Sequence, residues 1–83
     1  MKVNPQTVFR KEIDGSALLF DPDTGATFGL NPTSAFLWEK FSAGMDEAAA
    51  LAALREVCGN IPPEAETHVK EFAASLKAKK FLL

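Results

Sequence analysis

With 83 residues the chain has room for one domain, residues 1–83, around a modest core. A net charge of −2 weighs against a nucleic-acid partner, which needs surplus Lys and Arg against phosphate. Cys58 is the only cysteine, so no disulfide can form within the chain, and the expected setting is the reducing cytoplasm. No apolar run approaches the roughly 18 residues of a membrane span.

The apolar periodicity changes once, from 2 to about 3.6, near Asn31. Before it the sequence reads as a meander of three strands. Val8–Ile13 is the first. Asp14-Gly15 follows, a dipeptide suited to the positive φ angles of a tight hairpin turn. Ala17–Asp21 is the second strand, apolar enough to be central and covered on both faces. Pro22-Asp23-Thr24-Gly25 is a turn, with proline presetting φ and glycine accepting φ > 0. Ala26–Leu30 is the third strand, with Ala26, Phe28 and Leu30 on one face.

After Asn31 three helices are expected. Asn31 caps the first and Pro32 opens it, where the missing N–H costs nothing. Ala35, Leu37, Trp38 and Phe41 form its apolar stripe, with Trp38 in the core. Gly44 breaks the chain and Asp46 caps a second helix, which runs to about Cys58. Its stripe is Leu51, Leu54 and Val57. Cys58 is expected to be at least half-buried, as free cysteines commonly are. After Ile61-Pro62-Pro63, a third helix carries glutamates toward its N-terminus and Lys77, Lys79 and Lys80 at its C-terminal end, as the helix dipole favours. Val69, Phe72, Ala73 and Leu76 form its core stripe. Three short strands cannot bury a face alone, so the helices must cover one side of the sheet. The fold class is therefore α+β, in a winged helix-turn-helix arrangement of three antiparallel strands followed by three helices.

Phe20-Asp21, the turn ending at Gly25, and Leu30-Asn31 followed by Pro32-Thr33 and Ala35 begin an ordered series. Trp38-Glu39 comes next, then Gly44 ahead of an acidic, Ala/Leu-rich helix, then Val69, Phe72 and Leu76 before a basic-apolar end. With this series the sequence from Phe9 to Leu82 resembles the PqqD-like family, the precursor recognition elements of ribosomally made, modified peptides. Asp46 stands at a cap where the family often has Thr, and His68 stands where it often has Asp. The resemblance implies a mode of action. The leader segment of a precursor peptide adds as a strand to the third strand, beside the third helix, and a modifying enzyme, often a radical SAM protein, then acts on the rest.

The residues are compatible with that role. An edge strand offers unpaired N–H and C=O groups to an extended peptide. Ala26, Thr27, Phe28, Gly29 and Leu30 make a short, proline-free edge, and Gly29 would allow another backbone to approach. Phe28 and Leu30 read first as core residues, and both can also be groove wall, since a groove wall is the rim of the core. On the third helix Lys70, Ala73, Ala74 and Lys77 share one flank of the apolar stripe. They would form a small-residue trough with lysines on its lip, suited to an acidic peptide. The opposite flank, His68, Ser75 and Lys79, is the other location for the groove.

No catalytic constellation is visible. His68 lacks a second His or Cys at ligand spacing, so neither a metal nor another cofactor is expected. The carboxylates sit at caps and turns rather than as a pair. Two non-enzymatic alternatives remain: a winged-helix DNA-binding regulator, for which the second helix offers only Arg55 against Asp46, Glu47 and Glu56, and an adaptor protein with no peptide ligand.

Overall fold

In the computed structural model, which describes residues 2–83, the change of period at Asn31 separates a sheet from the helices that cover it. The strands are β1 (Val8–Lys11), β2 (Ala17–Phe20) and β3 (Thr27–Leu30). The helices are α1 (Pro32–Ser42), α2 (Glu47–Cys58) and α3 (Ala65–Ala78). The sheet order is β1-β2-β3, antiparallel throughout, so β1 and β3 are both edges.

β1 is shorter than its apolar pattern suggests, ending at Lys11, and Ile13 is fully exposed at the hairpin tip. The Glu12 N–H donates to the Ser16 carbonyl (2.8 Å) and the Gly15 N–H to the Glu12 carbonyl (3.1 Å). This makes a three-residue loop in which only Gly15 has positive φ, 93°. Asp14 takes a different part from the one its pairing with glycine implies. Its carboxylate accepts hydrogen bonds from the Ser16 hydroxyl (2.6 Å) and amide (3.0 Å), which hold the carboxyl below its ordinary pKa.

The second hairpin turns through Pro22–Gly25. Asp21, buried despite its charge, accepts from the Asp23 amide through Oδ1 (2.9 Å). Its own N–H donates to the Ala26 carbonyl (2.9 Å) and its carbonyl accepts from Gly25 (2.8 Å). Ala26 therefore lies just outside β3 while still joining the ladder.

β2 is central as expected, but it is not covered on both faces. Ala17 and Leu19 are buried beneath the helices, whereas Phe20 is 36% exposed on the opposite face. The helices pack on one side only, and no described helix covers the other.

Both predicted caps form. Asn31 accepts from the Ser34 amide and Asp46 from the Ala49 amide, each at 2.8 Å. Trp38, Phe41, Leu51, Leu54, Val69 and Leu76 meet in the core. α2 deviates from its predicted stripe: Val57 is 70% exposed, and Ala50 takes the buried position with Leu51 and Leu54. Cys58 is exposed as well, because the last turn of α2 runs past the edge of the core.

The chain ends pair with one another, which the periodicity gave no sign of. Val3 bridges Leu82, the Asn4 N–H donates to the Phe81 carbonyl (2.9 Å), and the Leu83 N–H donates to Lys2 (2.9 Å). α3 stops just before this pairing. The Phe81 N–H reaches back to the Leu76 carbonyl (2.9 Å) and the Lys80 N–H to Lys77 (3.0 Å), the two bonds of a Schellman termination. Phe81 and Leu76, both fully buried, supply its apolar contact. Lys80 holds the left-handed position, φ 65°, where glycine is usual.

Two stability effects follow. Trp38→Ala lowers the unfolding free energy by about 3–5 kcal/mol in urea melts, because a buried indole is lost. Lys80→Gly raises it by about 1 kcal/mol through relief of the left-handed strain. A less stable Lys80→Gly protein would show that the lysine stem offsets that strain.

Candidate functional site

β3 hydrogen-bonds to β2 on one side and to no other strand among the described residues. Which of its main-chain groups are left over follows from the register. In an antiparallel pair, bonded and non-bonded residues alternate. The bond from Asp21 N–H to Ala26 fixes the phase, and Phe28 and Leu30 continue it opposite Leu19 and Ala17. Thr27 and Gly29 therefore turn their N–H and C=O groups away from β2, toward the vacant edge. Both residues are exposed.

α3 lies alongside this edge, held by rings. Phe28 meets Phe72 edge-on at 6.0 Å between centroids and Phe81 at 6.3 Å, and Phe72 stacks on Phe41 at 6.1 Å. An open groove of about 390 Å³ lies where α3, the first turns of α1 and Phe28 of β3 meet. Phe28, Leu37 and Phe72 give it an apolar floor, while Asn31, Thr33 and Ser34 stand at one end and His68, Glu71 and Ser75 along the α3 wall. Past Ser75, the Lys79 ammonium sits 5.8 Å from the centre of the Phe28 ring. His68, Phe72, Ser75 and Lys79 recur at helical spacing, so one stripe of α3 forms the wall.

This geometry divides the residues singled out by the sequence. Thr27, Phe28, Gly29 and Leu30 come together on β3 with Ala26 at its start, and Leu30 is buried as core while Phe28 is both core and groove floor. The α3 residues Lys70, Ala73, Ala74 and Lys77 lie away from this groove. Ala73 is fully buried, so no small-residue trough opens there. Lys70 pairs with Glu66 (3.5 Å) and lines a separate groove of about 300 Å³ against α2, with Glu47 and Arg55. Ala74 and Lys77 are exposed and absent from the β3 groove. The other flank, His68, Ser75 and Lys79, faces β3. Helical spacing identified both flanks, but only the packing of Phe72 against Phe28 decides which one meets the strand. Glu71 also lines the groove, although nothing in its local sequence separates it from the other glutamates of α3.

Gly29 is unconstrained within the protein itself. A β-carbon there would meet nothing within 4 Å, and its φ is not positive. The described residues contain no cluster of three or more metal-ligating side chains, and no described helix is long and apolar enough to cross a membrane.

The family model for coenzyme PQQ synthesis protein D, PqqD, matches residues 16–82. The chain belongs to the PqqD family. Two solved structures share the fold of this PqqD-family chain. TbiB1 in complex with the TbiA(beta) leader peptide superposes with a TM-score of 0.83 at 24% identity, covering 99% of this chain and 94% of that one. Lasso peptide synthetase B1 complexed with the leader peptide gives 0.80 at 22% identity, covering 99% and 95%. Both were solved with a leader peptide bound. No curated protein sequence matches. The fold is thus the three-strand, three-helix winged helix-turn-helix shared with these two structures.

Proposed function

We propose that this PqqD-family domain binds the leader segment of a ribosomally made precursor peptide as an added strand on β3, and presents that peptide to a separate modifying enzyme, often of the radical SAM class. The observation that carries this reading is the vacant edge at Thr27 and Gly29, set beside the groove floored by Phe28 and Phe72. Four main-chain groups on that edge await partners, and an extended peptide supplies them without needing a particular side chain. Specificity then comes from the peptide side chains that turn into the groove. The leader-bound state of both structural relatives supports the same use of the fold. The role is one of binding and presentation, with the chemistry left to the partner.

The contact on α3 belongs to the stripe His68, Phe72, Ser75 and Lys79, because those residues face β3. Lys70, Ala73, Ala74 and Lys77 are not part of it.

Paired substitutions on β3 test the strand addition. Thr27→Pro removes an outward N–H, which edge strands tolerate, so the fold persists while leader affinity falls about tenfold or more in isothermal titration. Phe28→Pro removes the N–H bonded to Leu19 and destabilises the sheet itself. Unchanged affinity in a folded Thr27→Pro protein moves the binding site away from this edge.

A further inference from the structure

The groove has a direction and a charge order. Asn31, just past β3, lines the groove with His68 in the first half of α3 and Glu71 at its middle, whereas Phe28 reaches Lys79 just past the helix's C-terminal end. β3 and α3 therefore run antiparallel. A strand added to β3 in the antiparallel sense of the sheet, the more stable pairing, runs parallel to α3. Its first residues pass Glu71 and its last residues pass Lys79.

Neither of these charges joins an ion pair among the described residues. The ion pairs among the described residues join Arg10 with Glu12, Lys11 with Glu39 and Lys70 with Glu66. Glu71 has no cation partner among the described residues, and Lys79 has only the Phe28 ring. Lys77 and Lys80 adjoin Lys79 in sequence and make the C-terminal end of α3 the more cationic one. The helix dipole opposes this order on the ligand, since its partial negative charge falls at that same end, so the lysine ammonium groups supply the attraction there.

The geometry points to a leader segment of defined polarity: a cationic residue in the N-terminal part of the bound strand, opposite Glu71, and an acidic residue in its C-terminal part, opposite Lys79, flanking apolar side chains that enter over Phe28 and Phe72. This inference rests on strand addition to β3 and adds the ligand's chemical order to it. Charges at the rim of a groove contribute modestly to affinity but strongly to register and to rejection of reversed sequences.

A displayed library of random twelve-residue peptides, selected on the full chain at low salt, tests the order without a known leader. The enriched peptides carry Lys or Arg toward the N-terminus and Asp or Glu toward the C-terminus of a shared apolar segment. On the Lys79→Glu protein the preference at the C-terminal position reverses, and on Glu71→Lys the N-terminal one does. Synthetic copies of the enriched peptides lose about two- to fivefold in affinity on the corresponding variant, and the loss shrinks as salt is raised. Enriched peptides that perturb the Thr27 and Gly29 amides but show no charge order, or the reverse order, overturn the inference and leave strand addition standing. Selection of no peptide that perturbs those amides overturns both.

Discussion

The edge-to-face contacts of Phe28 with Phe72 and Phe81 set α3 beside β3, and the site exists because of that placement. Phe28 is contributed by the sheet, Phe72 by α3, and Phe81 by the segment that follows the helix. Each ring is held by a different device. Pairing opposite Leu19 orients Phe28, stacking on Phe41 orients Phe72, and the Schellman termination turns Phe81 inward. Pairing of the two chain ends then secures the Phe81 segment against Asn4. A groove wall so constructed is part of the core, so the same residues that stabilise the domain also shape what it can receive. Large substitutions at these positions will change stability and the shape of the groove together.

The order of elements and the chemistry of their ends were legible from the sequence. Asn31-Pro32 and Asp46 are local signals, and each forms the cap its residue type predicts. Trp38 is core because an apolar stripe at helical spacing has to be buried somewhere. The less legible features depend on which elements neighbour one another. Ile13 and Val57 extend apolar patterns past the ends of what the core can cover, so one is at a hairpin tip and the other is in solvent. The α3 flank is of the same kind. Lys70 and Lys79 are both lysines at helical spacing beside an apolar stripe, and only the side on which the sheet lies separates them. The Val3–Leu82 bridge joins two residues at opposite ends of the chain, a pairing no local pattern encodes.

A winged helix-turn-helix is shared by proteins with unrelated ligands, so fold alone does not choose among them. The surface is more informative. α2 presents Glu47 and Glu56 around Arg55, a poor match for phosphate, while the β3 edge presents main-chain groups that any extended peptide can satisfy. The uncovered outer face of the sheet, with Val8 and Phe20 exposed, leaves the edge strand free of steric obstruction from the helices on that side.

Amide-resolved hydrogen exchange is the most direct measurement of the vacant edge. In the free protein the Thr27 and Gly29 amides exchange rapidly while those of Phe28 and Leu30 are protected, and saturating leader peptide slows Thr27 and Gly29 toward their neighbours. Continued rapid exchange at both positions in a protein fully occupied by leader would contradict the account.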